Sequence, residues 1–223
     1  MPEVNQASYL ADIIQILKQH WPDHRAVNVI CHGHSVPDGY FATPMVDTFH
    51  AYPHLLHRGL KHRFPFAVVT VIVTAVGGEN SASGAARFEA EVLCHRPDVL
   101  TIDYGLNDRA IGLAQAEVAW RSVIEHALER EIKVLLLTPT ADVTLRLSAG
   151  SRERRELGQH AAQIRALAQG YGVGLVDSLA AFERWLGEHA GGDLSDLLSW
   201  GNHPNRAGHE IVARELLRWF PIV

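Results

Sequence analysis

The chain has 223 residues, 47% of them hydrophobic and 20% charged, which excludes a disordered polymer and fits one large globular domain. Its formal charge of −5 excludes broad electrostatic attachment to nucleic acid, and two cysteines, Cys31 and Cys94, cannot staple a fold of this size. Histidine is the outlier: protonating all 14 would carry the formal charge from −5 to +9, a change spread between about pH 7 and 5.

Residues 1–8 are polar, with Glu3 and no basic segment leading into an apolar stretch, so the expected compartment is the cytoplasm with reduced thiols. Leu10, Ile13, Ile14 and Leu17 fall at helical spacing and precede Ala26–Ile30, a short buried strand. Residues 37–65, rich in proline and histidine, show no clear periodicity. Phe66 to Ala75 is valine-rich and predicts a second buried strand; its apolar run ends at Val76, well short of the ~18 residues that span a bilayer. Val99–Asp103 is the third strand. A helix follows, with Ala116, Trp120, Val123, Ile124 and Ala127 on one face, and then the fourth strand, Val134–Thr138. Leu157, Ala161, Ile164 and Ala168 mark another helix, Val173–Val176 the fifth strand, and residues 191–204 a second irregular segment. Val212, Leu216, Trp219 and Phe220 stripe the last helix.

Strands that are apolar on both faces, alternating with helices, predict a parallel sheet covered on both sides. The expectation is a single α/β domain over residues 1–223, with its ligand crevice at the carboxyl ends of the strands. The residues just beyond those ends therefore carry the chemistry. Ser35 stands on the turn after the first strand; taken alone it reads as a helix cap, and Pro37 departs from the α/β-hydrolase elbow, which needs glycine two residues after the nucleophile. Gly77 and Gly78 end the second strand, either as a tight turn or as backbone N–H groups open to an oxyanion. Asn107 and Asp108 follow the third, as an Asx turn or with Asn107 as an amide donor, which a carboxylate cannot be. His203 lies in the last loop.

Taken together, Gly33-His-Ser35, Gly77-Gly78, Gly105-Leu-Asn-Asp108 and His203-Pro-Asn205 resemble, in order, the four blocks of the SGNH (GDSL-like) hydrolase superfamily. The resemblance runs from about residue 26 to 220. It implies a flavodoxin-like three-layer α/β sandwich around a central five-stranded parallel sheet. It further implies ester hydrolysis without metal or organic cofactor. Ser35 is then the nucleophile and His203 its base, with Ser35 N–H, Gly78 N–H (Gly77 the close alternative) and the Asn107 amide as the oxyanion hole. The implied substrate is a small-molecule or glycan ester of short acyl chain, an acetylated carbohydrate above others, with no nucleic-acid or membrane partner.

The chain departs from the family pattern twice. His34 stands where the family has aspartate, and Trp200 where an aspartate normally lies three residues before the histidine. The main-chain carbonyl of Trp200 is therefore the expected orienter of His203, with Asp196 or Asp193 as the alternative through a reshaped loop. Two further readings stay open. His32 and His34, aided by His50, His54, His57 and His62, could serve a metal-dependent phosphoesterase. A flavodoxin-like binding module with no catalysis is the other. Tyr40, Phe41, Tyr104, Trp185 and Trp200 are aromatic candidates for the crevice or the core.

Overall fold

The computed structural model describes residues 4–222. Five strands, β1 (Val27–Gly33), β2 (Val69–Val73), β3 (Val99–Asp103), β4 (Lys133–Leu137) and β5 (Gly174–Val176), form one parallel sheet in the order β2-β1-β3-β4-β5. This is the flavodoxin-like order. Side chains alternate between the two faces, as the pleat requires. Val29, Cys31, Leu135 and Leu137 join one buried cluster, and Ile30, Leu100, Ile102, Val134 and Leu136 the other.

Helices cover both faces. On the first lie α1 (Ala11–Leu17), α3 (Tyr52–Arg63), α7 (Ser178–Glu188) and α8 (Arg206–Leu217); on the second, α4 (Ser81–Glu91) and α5 (Gly112–Leu128). The long helix α6 (Arg152–Tyr171) serves both, giving Leu157 and Ala161 to one cluster and Ile164, Leu167 and Ala168 to the other. One short helix, α2 (Ser35–Asp38), follows β1 directly, and a small antiparallel hairpin, β6 (Leu198–Trp200) with β7 (His203–Pro204), precedes α8.

Two elements differ from the sequence expectation. The stretch 37–65 is not wholly irregular: it contains α3, which buries Tyr52, Leu55, Leu56 and Leu60 and starts with Pro53 in its first turn, where a missing N–H costs nothing. The second strand is shorter than Phe66–Ala75 and is not buried on both faces. It is an edge strand, with Val69 buried, Val73 exposed and Phe66 in solvent before the strand begins.

The chain leaves β1 toward β2 on one side and later returns to β3 on the other, so the order reverses at β1/β3. Loops diverge at such a switch point and leave a crevice at the carboxyl ends. Gly33 and Asp103 face each other there as the last register pair. A Cβ on Gly33 would come within 2.5 Å of the Asp103 carbonyl oxygen and 2.8 Å of Pro37, so only glycine lets the chain turn into α2 at this point.

Candidate active site

Ser35 is the first residue of α2 and sits at the mouth of that crevice, 6% exposed. Its N–H belongs to the first helical turn, which has no intrahelical acceptor. The β6–β7 hairpin brings His203 to it across 168 positions of sequence: the imidazole Nε2 lies 3.0 Å from Ser35 Oγ. The other ring nitrogen, Nδ1, lies 3.0 Å from the main-chain oxygen of Phe41. A carbonyl only accepts, so Nδ1 carries the proton and Nε2 presents its lone pair to the serine hydroxyl. Burial holds the His203 pKa below its ordinary value, helped by the neighbouring His34, while the Phe41 carbonyl pulls it partly back up.

The Phe41 carbonyl is aimed by the loop that follows α2. Tyr40 pairs with Val46, Phe41 N–H donates to Met45 O at 2.9 Å, and Asp47 N–H donates to Gly39 O at 2.8 Å. Asp47 then anchors this loop to α8 by accepting Arg206 Nε at 2.9 Å.

Tyr40 stands between His203 and the glycine turn, and Asn107 is tied to the same turn through Glu79 O. Gly77 is needed for space, since its Cβ would meet the Tyr40 ring at 2.8 Å; Gly78 is needed for its φ of +84°. Among the described residues neither glycine N–H has a protein acceptor. Asn107 opens a 3-10 turn after β3 and donates one amide hydrogen to Glu79 O at 2.8 Å, which leaves its second amide hydrogen for a ligand. Its neighbour Asp108 is a buried tether, accepting Ser81 N–H at 2.7 Å and Trp120 Nε1–H at 2.6 Å, and burial raises its pKa. Gly105 fits because a Cβ there would lie 2.9 Å from Pro139 and Ile164. Each residue of the Gly-x-Asn-Asp block thus has its own physical reason.

Residues 31–211 match the GDSL-like lipase/acylhydrolase family. The chain belongs to that family. It is 25% identical over 172 residues to an acetylxylan esterase of Geobacillus stearothermophilus, covering 71% of this chain and 75% of that protein. A crystal structure of a catalytic mutant of an acetylxylan esterase from the same organism superposes with a TM-score of 0.76 at 23% identity, covering 92% of this chain and 97% of the other. An alpha/beta hydrolase from the metagenome of Lake Arreo, Spain, gives 0.74 at 22%, covering 87% and 94%. Membership in this family makes the chain a serine ester hydrolase.

In the catalytic mutants of the acetylxylan esterase, a serine, a histidine or an aspartate three residues before that histidine is replaced by alanine. The GDSL-like chain described here has Trp200 at that spacing, and the structure corrects the expectation for it. Trp200 pairs with His203 across the hairpin and is 64% exposed. His203 Nδ1 instead meets the Phe41 carbonyl at 3.0 Å, with the Thr43 hydroxyl a more distant neighbour at 3.5 Å. Asp196 and Asp193 do not replace it, because both are spent on their own turn. Asp196 accepts Asp193 N–H at 2.8 Å, and Asp193 accepts Ser195 N–H at 2.8 Å and Arg146 at 2.5 Å. The Ser195 hydroxyl, which donates to the same carboxylate at 2.6 Å, leads those donors in holding the Asp193 carboxyl down at about 2. Asp193→Asn and Asp196→Asn are each expected to lower kcat by less than about tenfold, against ~10⁴ for loss of a triad aspartate; steady-state kinetics on p-nitrophenyl acetate checks this.

Four of the candidate metal-binding histidines have partners of their own. His32 is buried beneath the site, bonded to Thr74, Tyr104 and the Gly84 carbonyl, and burial pushes its pKa down to about 4. His50 pairs with Asp47, His57 reaches Val69 O, and His54 meets the Phe49 ring edge-on. Among the described residues no group of three or more His, Cys, Asp or Glu side chains is placed to hold a metal ion. Of the aromatic candidates, Tyr104 is core and Trp185 stacks on His189, whereas Tyr40 borders the His203 imidazole, the ring centres 5.9 Å apart. No helix among the described residues is long and apolar enough to cross a membrane.

The Phe41 and Glu79 carbonyls escaped the sequence reading, and no signal could have found them, because every residue carries a carbonyl. Tyr40 was one candidate among five aromatics; what singles it out is its packing on Gly77.

Proposed function

We propose that the chain hydrolyses short-acyl esters, acetylated carbohydrates above others, by way of an acyl-enzyme on Ser35. The observation that carries this reading is Ser35 Oγ held 3.0 Å from His203 Nε2 while Phe41 O engages Nδ1. His203 takes the hydroxyl proton as Ser35 Oγ attacks the ester carbonyl carbon. The oxygen of the tetrahedral intermediate gains negative charge and meets Ser35 N–H, Gly78 N–H and the second amide hydrogen of Asn107. The C–O bond to the leaving alcohol then breaks, and the alcohol departs with the proton from His203. Water attacks the acyl-serine with the same imidazole as base, releasing acid and free Ser35.

Tyr40 supports the restriction to short acyl groups. Its ring lies against Gly77 on one side and near His203 on the other, so it walls the space between the glycine turn and the base. The acetylxylan esterase relative supports a carbohydrate alcohol, and Trp200, exposed beside His203 in the hairpin, offers the kind of flat apolar face that suits a sugar ring.

A chain-length series of p-nitrophenyl esters, run beside acetylated xylooligosaccharides, tests the proposal. The wild-type protein is expected to favour acetate over butyrate by at least about tenfold in kcat/KM, since each misplaced methylene is worth about 1–3 kcal/mol. Tyr40→Ala is expected to narrow or invert that ratio while still cleaving acetate. A wild-type preference for octanoate would overturn the short-acyl assignment, and deacetylation absent from every carbohydrate ester tried would remove the glycan part.

A further inference from the structure

A buried carboxylate does stand close to Ser35, on a residue paired in register with Gly33 two positions before it. Asp103 ends β3 and is 1% exposed; its main-chain oxygen accepts His34 N–H at 3.2 Å. Its side-chain Oδ2 accepts the Tyr52 hydroxyl at 3.3 Å, while Oδ1 faces His34 Nε2 at 3.5 Å. Both members of that last pair are buried and have no other hydrogen-bond partner. The separation is long for a completed hydrogen bond, and it sets an otherwise unpartnered ring nitrogen against an otherwise unpartnered carboxylate oxygen.

The far nitrogen of His34 shows which way its proton lies. Nδ1 accepts Val36 N–H at 3.2 Å, capping α2, so it is unprotonated and the ring proton sits on Nε2, facing Asp103. The same Nδ1 is 3.4 Å from Ser35 Oγ. With its lone pair engaged by Val36, His34 offers the serine proton little, and the hydroxyl is left to donate to His203. The other tautomer would reverse this. Nδ1–H would donate to Ser35 Oγ and dull the nucleophile, the cap on Val36 would be lost, and the bare Nε2 would confront a carboxylate.

We propose that Asp103 is a positioning residue for the hydrolytic reaction, acting through His34. It fixes His34 as the Nε2–H tautomer, so that α2 stays capped and the Ser35 proton is directed to His203. His34 thereby supplies the capping acceptor and Asp103 the charge, two properties that an aspartate at position 34 would carry in one side chain. This inference rests on the Ser35–His203 reading above.

Nitrogen chemical shifts of His34 in the unmodified protein are the first test: they are expected to report Nδ1 as the unprotonated nitrogen, and a protonated Nδ1 would overturn the proposal. Asp103→Asn is expected to bring in the second tautomer and to lower kcat by about 10- to 100-fold at nearly constant KM. That is less than the ~10⁴ seen where the base itself adopts the wrong tautomer. His34→Asp alone sets two buried carboxylates face to face, which cannot both stay ionised at low cost, and is expected to lose as much. Combining His34→Asp with Asp103→Asn should restore kcat to within about tenfold of wild type. Losses that simply add, with wild-type thermal unfolding retained, would sink the proposal. Labelling by a serine-directed phosphonate separates the two readings: if Ser35 is labelled while the swap fails, only the role of Asp103 falls; if the wild-type Ser35 is not labelled, the hydrolytic reading falls with it.

Discussion

Ser35→Ala is expected to lower kcat on p-nitrophenyl acetate by about 10⁴–10⁶, and His203→Ala by a similar factor, because in the proposed reaction nucleophile and base act as one unit and removing either removes the pathway. Folding should survive both changes. Ser35 is a first-turn residue whose α2 cap comes from His34, and the hairpin bearing His203 keeps its own pairing. Mass spectrometry after phosphonate treatment should place a single adduct on Ser35; an adduct on Ser81 or Ser83 would remove the central claim. The pH profile carries a second signature of the pair. Burial lowers the His203 pKa from 6.5, the neighbouring His34 adds to this, and the Phe41 carbonyl offsets part of it. The neutral imidazole is the active form, so kcat/KM should hold as pH falls through 6.5 and decline only at lower pH, where the ring takes up its proton. An acid limb at or above the ordinary histidine value would mean that His203 is not the group titrating.

Asn107→Ala is expected to lower kcat by about 10²–10³, the usual effect of deleting one preorganised oxyanion donor. KM should move little, since in the proposed reaction the second amide hydrogen meets charge that develops only in the transition state. Asn107→Asp makes the sharper test. It preserves shape but replaces the donor by an acceptor, so it should do at least as much damage, with carboxylate and oxyanion repelling each other. The bond to Glu79 O at 2.8 Å is lost in both variants, so thermal unfolding must be measured alongside to separate a displaced turn from a missing donor. A defect confined to KM would make Asn107 a substrate-binding residue, and unchanged kinetics would leave it a turn residue.

Much of the site was legible before the structure because its blocks are short and each has a local reason for its residue types. Gly105, Asn107 and Asp108 occupy one turn, where close packing, an amide donor and a buried tether each select one side chain. The sheet was legible for a similar reason: burial on both faces imposes apolar runs on β1, β3 and β4. The edge strand β2 is shorter than Phe66–Ala75 because the apolar run, from Phe66 and Ala67 to Ala75, continues past both ends of its pairing. Helix α3 was obscured by the histidines and basic residues filling its solvent face, although Tyr52, Leu55, Leu56 and Leu60 keep helical spacing beneath them.

By itself, then, the sequence determined the fold class, the order of the four blocks and the identities of Ser35, Asn107 and His203 as candidates, because side-chain type and periodicity are written residue by residue. Only the tertiary structure decided what orients the His203 ring. The Phe41 carbonyl meets His203 across 162 positions of chain, and its direction depends on a loop held by Tyr40, Val46 and the Asp47–Arg206 pair. Asp193 and Asp196 lie far closer in sequence, but a carboxylate serves whichever donors surround it, and theirs are Ser195, Arg146 and the Asp193 N–H. A backbone acceptor has no side-chain signature, so its role exists only once the chain has folded around it.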